Sequence, residues 1–248
     1  MSETFENRDM AGTVFHNVNL HHTVFDDVNL GEATINNANL SGLRITDAYI
    51  KGMTIFGFSV DQLIEAEMDR RDPERLRLRM TDPFDPACVR AVFNRLDQVR
   101  ADFASFLRAT DQQLIRRRPA PSEWSAIENL RHLIFAEDLY THRWLLQDAE
   151  PWCPYGLLPA FIQDDPHYQG VGNQPDANLE TFLAAWAGIY AQTRQFIASV
   201  TREELHRDTS QLDFGQGTVS NVLQVMAQHD LDHIRQAEAA IRTIQQKE

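Results

Sequence analysis

Thiols are scarce in this chain. Its 248 residues include two cysteines, Cys88 and Cys153, far apart and without a CxxC spacing, which excludes a disulfide framework and a cysteine-based zinc site. Long apolar runs are also missing: no stretch approaches the eighteen or so consecutive apolar residues of a membrane-crossing helix. Positive charge is outweighed, giving a formal net charge of -13, so the basic footprint that grips nucleic-acid phosphates is absent. The opening stretch MSETFENRDM has neither a basic nor an apolar targeting region. A soluble, cytoplasmic protein is expected, with no nucleic-acid and no membrane partner. With 43% hydrophobic residues, the chain has the material for one large domain or two modest ones.

The first quarter repeats every five residues. Apolar centres recur from Phe5, Met10, Phe15 and Leu20 through to Ile55 and Val60, and small or β-branched residues such as Thr13, Val18, Ala33 and Ala38 precede most of them by two positions. Neither the helical period nor strand alternation yields five. The period suits a square solenoid, each pentad forming one side with its two apolar positions inside. The runs VNL, VNL and ANL at residues 18–20, 28–30 and 38–40 resemble the pentapeptide-repeat family, and that resemblance implies a short right-handed quadrilateral β-helix of about three coils. Bulky Leu43, Met53 and Phe58 at small-residue positions suggest that the coil ends near residue 58. His16, His21 and His22 read as solvated.

Residues 61–84 are charged and broken by Pro73 and Pro83, so a domain boundary is placed there, between a repeat domain at 1–60 and a helical domain at 85–248. A short helix from Asp61 to about Arg71 is expected, with Leu63, Ile64 and Met68 covering an end of the solenoid. The Arg-dense stretch from Arg70 to Arg79, interleaved with acids, reads as solvated. From Pro86 the period becomes helical. Val89, Val92, Phe93, Leu96, Val99 and Phe103 mark one helix, and Ser125 with Glu128 forms a capping box that opens a second, running to about residue 148. A Pro- and Gly-rich loop from Pro151 to Pro175 suggests a lid or crossover. A third helix is expected from about Leu179 to Val200, then a Thr201-x-x-Glu204 box, a polar FGQGT turn, and a last helix from about Val219 to Gln245. Four such helices make a bundle.

Two histidines of the last helix, His229 and His233, stand four residues apart and so share one face. The stripe Val222, Met226, His229, His233, Gln236 and Ala240 places them where a core face belongs. His132 occupies a similar position on the second helix, between Glu128 and Phe135. Three unpaired buried imidazoles would cost about 1 to 3 kcal/mol each, with Glu128, Gln236 and Tyr140 the obvious partners; a shared metal removes that cost for all three. His142, Asp230 and Asp232 point off these stripes, with a surface role expected for the two aspartates, His167 reads as a solvated loop residue, and His206 has no assigned role.

The pattern SEW, then SAIENLRHL at residues 125–133, then TVSNVLQVMAQHDLDHIRQ at 218–236 resembles the DinB/YfiT-like superfamily over about residues 86–246. The resemblance implies a four-helix bundle of DinB-like topology that binds a divalent metal through His132, His229 and His233. Imidazole suits zinc, nickel, iron and copper, and zinc or nickel is the expected ion. Members include S-transferases and isomerases that use low-molecular-weight thiols, and proteins described as metal-dependent hydrolases. The function this implies is activation of a low-molecular-weight thiol or a water molecule against a small electrophilic substrate; from its position Glu128 is the candidate proton acceptor or hydrogen-bond partner of a ligand, and Arg143 the candidate anion anchor. The alternative is a non-catalytic stress-response or protein-binding module in which the metal is structural and the solenoid is the interaction surface. A small-molecule substrate, a protein partner for the repeats and a homodimer are the expected associations.

Overall fold

The computed structural model describes residues 4–45, 48–148, 151–163, 165–211 and 217–247. It divides into two compact units, Met1–Tyr49 and Ile50–Glu248. In the first, the five-residue period is visible in the backbone: Asn7, Gly12, Asn17, His22, Asp27, Glu32, Asn37 and Gly42 all have φ between 49° and 78°. Each pentad therefore turns a corner through a left-handed residue, a conformation that Gly and Asn adopt most readily. Asn19, Asn29 and Asn39 each accept from the amide two residues on, which fixes alternate corners as Asx turns. The apolar centres stay half exposed, with Phe15 at 54% and Leu40 at 47%. Among the described residues of this unit no strand forms. Corners follow from local backbone rules; a β-helix also needs ladder bonds between coils, and none is shown.

The second unit opens with a hairpin, β1 (Thr54–Ile55) and β2 (Phe58–Ser59), paired antiparallel. Its two turn residues, Phe56 and Gly57, are both left-handed at φ 54° and 80°, as the twist of a two-residue hairpin requires. Helix α1 (Val60–Arg71) and the single turn α2 (Glu74–Arg77) follow. Leu63 and Ile64 of α1 are exposed. In the Arg-dense segment Arg70, Arg71, Arg77 and Arg79 are exposed, as expected, but Arg75 is buried and pairs with Glu65 and Asp69 of α1 and with Asp232. Glu74 holds Arg95, and Asp72 holds Arg235, which ties this part of the segment to the helices that follow.

Four long helices form the bundle: α3 (Pro86–Ala109), α4 (Ala126–Asp138), α5 (Leu179–Ser199) and α7 (Val219–Gln245), with the single turn α6 (Arg202–Leu205) before the last. Their starts are written in the sequence. Asp85 caps α3 with Pro86 in its first turn, Ser125 and Glu128 close the capping box of α4, and Thr218 with Asn221 does the same for α7. Phe214 to Gln216 of the expected FGQGT turn lie outside the described residues. Helices α3 and α4 each pack on both α5 and α7, so α3 and α4 stand across a diagonal. Nearly all of α4 is buried, as suits a helix with neighbours on every side. At its end the ladder widens into a π-helical segment, Leu139–Leu146, which stops at left-handed Gln147.

The centre of the bundle is charged. Arg100 of α3 donates to Glu137 of α4 at 2.8 Å and to Asp230 of α7, and its guanidinium lies 3.7 Å and 3.6 Å from the ring centroids of Trp186 and Tyr190 on α5. Thr193 donates to the other Glu137 oxygen at 2.8 Å and meets Thr141 at 2.7 Å. Asp230, expected at the surface, is 3% exposed. The buried stripe of α7 runs through Leu223, Ala227, Asp230, Ile234 and Ala237, and Gln236, expected to face inward, is exposed. The core face is therefore rotated from the expected one, and the histidines lie along its flank. Replacing Arg100 by Met strands two buried carboxylates and should cost about 3 to 5 kcal/mol, seen as a lower urea midpoint with an unchanged slope. Adding Glu137→Gln and Asp230→Asn should recover most of it. A loss below about 1 kcal/mol for Arg100→Met would remove this network from the account of stability.

Candidate metal centre

Helices α4 and α7 bring the three histidines together. His132, His229 and His233 each offer one ring nitrogen, and these nitrogens lie within 4.8 Å of one another. The closest pair, His132 Nε2 and His229 Nε2, is 3.3 Å apart. Two ligand nitrogens on a tetrahedral zinc, each about 2.0 to 2.1 Å from the ion, stand about 3.3 to 3.4 Å apart. The spacing of this pair fits a shared cation, and the third nitrogen lies within 4.8 Å of both.

Two of the rings are held in the tautomer that a ligand needs. His132 Nδ1–H donates to the Leu157 carbonyl at 3.2 Å, and His233 Nδ1–H donates to Asn129 Oδ1 at 2.9 Å, which leaves each Nε2 lone pair free. Asn129 is itself fixed, its amide donating to Ser125 O at 3.0 Å. His229 Nδ1 is sealed from solvent without a partner; its ring meets Tyr140 edge-on at 5.8 Å. Half-buried Trp124 forms a wall, its ring centroid 4.9 Å from His132 and 5.9 Å from His233, and Phe135 lies 6.1 Å from His132.

The Leu157 carbonyl comes from the long loop, which is strapped to α4. Arg131 donates to the carbonyls of Tyr155 and Gly156 at 3.2 and 2.9 Å, and Leu157 N–H returns a bond to Arg131 O at 3.0 Å. Gly156 lies so close that a Cβ there would meet Val171 at 2.9 Å and Phe135 at 3.1 Å. A side chain would push this part of the loop, and with it the Leu157 carbonyl, away from the helix.

Electrostatically the site holds neutral imidazoles. Burial pushes His132 down to about 4 and His233 to about 3, with neighbouring His132 adding to the fall at His233. His229 is lowered by burial and then by both other histidines. Among the described residues no carboxylate or thiol joins the group, so three neutral donors and a remaining position define the ligand chemistry.

The other candidates lie in different surroundings. Glu128 accepts from Arg118 at 2.9 and 3.0 Å and from the Ser125 amide at 2.9 Å; burial pushes its carboxyl up, but these bonds outweigh it and hold it below the ordinary value. Arg143 donates to the Asp148 carbonyl at 2.8 Å and lies over Trp152. His142 pairs with Asp148, Asp232 with Arg75, and His206 stacks on Phe84, while His16, His21, His22 and His167 are exposed. Asn129, Trp124 and the Leu157 carbonyl had no signal of their own in the sequence, since a carbonyl is common to every residue and the other two lie inside the motif without a periodic role.

A helical bundle in which three imidazoles from two helices converge is a class of fold compatible with a metal ion between its helices. The DinB superfamily matches residues 95–237, more than half of the chain, and the chain belongs to that superfamily. Pentapeptide repeats match in eight copies over residues 5–52. No curated protein and no solved structure matches the chain. Among the described residues no helix is long and apolar enough to cross a membrane.

The depressed histidines set a pH dependence. As pH falls below 6.5, the unfolded chain binds protons that the folded, metal-free protein refuses, so stability decreases toward about pH 3. For His132 alone the effect is on the order of 3 kcal/mol. Urea titrations of metal-free protein at pH 7 and pH 4.5 should show the loss, and a variant with all three histidines changed to Asn should show a flatter dependence. Parallel curves for the two proteins would contradict the assignment.

Proposed function

We propose that the chain is a metal-dependent enzyme in which His132, His229 and His233 hold a divalent ion, zinc or nickel, that activates a low-molecular-weight thiol or a water molecule for transfer to, or hydrolysis of, a small electrophilic substrate. The observation that carries this reading is the convergence of three neutral nitrogens, two with their tautomers set by Leu157 and Asn129, without a fourth protein ligand among the described residues. Three protein ligands with one position left over is the pattern of a catalytic site, whereas structural sites are closed by a fourth. When bound, such an ion acts as a Lewis acid and lowers the pKa of a thiol or water that joins it.

The chain's own residues would perform the rest. Leu157 and Asn129 orient the ligands, and Trp124 and Phe135 provide an apolar wall that limits water and suits a hydrophobic substituent on the electrophile. Glu128, with its oxygens taken by Arg118 and Ser125, contributes by fixing the first turn of α4, which carries Asn129. Arg143 serves as an anchor for the segment around Asp148 and Trp152. The repeat unit, continued as quadrilateral coils, would offer its half-exposed apolar centres to a protein partner or a second copy.

Elemental analysis of protein purified without an affinity tag should find a divalent metal near one per chain, and His229→Ala should lose it. At a free metal concentration about a hundred times Kd, the ion should add about 2.7 kcal/mol to the wild-type protein and nothing to the variant. Equal metal content and thermal stability in both proteins would end the metal reading. Asn129→Ala should weaken metal binding by about ten- to a hundredfold, as loss of a ligand's outer partner does, and Asn129→Asp, which keeps the acceptor, should restore it. A thiol-transfer screen with the loaded protein then separates an enzyme from a structural site.

A further inference from the structure

A second cavity lies between the end of α4, the π-helical segment, α5 and the loop that follows. Its volume is about 340 Å³, and Asp138, His142, Pro151, Cys153, Ile189 and Gln192 line it. None of these six is a candidate metal ligand or touches the three histidines through any hydrogen bond or ring contact among the described residues. The cavity adjoins the π-helical turn, a distortion often found beside functional sites.

Its polar inventory is one-sided. Asp138 is 2% exposed; its Oδ2 accepts from the Cys153 amide at 2.6 Å, while Oδ1 has no hydrogen bond among the described residues and approaches only His142 Nε2, at 3.9 Å. His142 is 5% exposed, with Nδ1–H donating to Asp148 at 2.9 Å. Gln192, an exposed residue at the edge of the cavity, donates from Nε2–H toward His142 Nε2 at 3.4 Å. The cavity thus presents one unused buried acceptor, Asp138 Oδ1, while the imidazole has both nitrogens engaged. Ile189 and Pro151 add apolar wall. A buried carboxylate with an unused oxygen is costly unless a donor meets it, and burial raises the Asp138 carboxyl above its ordinary value, as expected for a group short of partners.

We propose that this cavity is a binding site for a small alkylammonium group, its cationic N–H meeting Asp138 Oδ1 and the carbon chain lying against Ile189 and Pro151. An ammonium has three donors and no acceptor, which suits a buried carboxylate oxygen that no protein donor meets. A carboxylate would face Asp138 with like charge, and an alcohol would forgo the charge-assisted bond.

Cys153 reports on occupancy because it lines the cavity, and Cys88, also half-buried, lies outside it. The experiment follows alkylation of both cysteines by iodoacetamide in the full chain, read by peptide mass spectrometry, with n-butylammonium, n-butanol or n-butyrate present. The ammonium should slow labelling of Cys153 and leave Cys88 unchanged, and the alcohol and the acid should do neither. Asp138→Asn should weaken that protection about tenfold, the loss expected for one charge-assisted hydrogen bond. Ile189→Trp, which fills the space, should abolish it while circular dichroism keeps the helical signal. Protection by butanol or butyrate equal to that by the ammonium overturns the proposal, as does no protection by any of the three or undiminished protection in Asp138→Asn. Because metal loading is not part of the readout, the result stands apart from the three-histidine reading.

Discussion

Arg100 carries its charge into the middle of the bundle, where a cation without counter-charges would cost several kcal/mol, and Glu137 of α4 and Asp230 of α7 answer it. The arrangement joins all four long helices, since the guanidinium also lies over Trp186 and Tyr190 of α5. Such a network tolerates little sliding. Shifting α7 by one turn would separate Asp230 from Arg100 and, because His229 is its neighbour, would separate His229 from His132 as well. The buried ion pairs therefore fix the register that makes three histidines from two helices converge.

Around that register the site is built by burial rather than by charge. Desolvation keeps the imidazoles neutral, and no carboxylate among the described residues opposes it. Orientation comes from groups that carry no formal charge, the Leu157 carbonyl and the Asn129 amide oxygen. The first depends on a loop held against α4 by Arg131 and by the lack of a side chain at Gly156. A long connection thus acts as part of the scaffold, which accounts for its length better than a mobile lid would. The cavity at Asp138 lies on the side of α4 that faces α5.

Much of the helical domain was legible in the sequence because its signals are local. The caps at Asp85, Ser125 and Thr218 and the 3.6-residue period set where the helices begin and how far they run, and the expected bounds of α5 and α7 agree with the structure to within a residue or so. The π-helical widening had no such signal. Asp230 was misplaced because one polar residue among apolar ones suggests exposure, and only a partner on another helix reverses that. Arg75 was misplaced for the same reason. The pentad period likewise foretold the corners, which are local, while the ladders that would close a β-helix are contacts between distant residues.

Sequence alone determined that a repeat unit precedes a helical bundle, where the bundle's helices start, and that His132, His229 and His233 are the residues to watch. These follow from backbone preferences, capping and spacing, each acting within a few residues. Tertiary structure decided which face of α7 is the core, that Asp230 and Arg100 pair at its centre, that Leu157 and Asn129 orient the histidines, and that a cavity lies beside Asp138. All of these are contacts between residues far apart in the chain, and their energies appear only when packing removes the water that would otherwise satisfy each group.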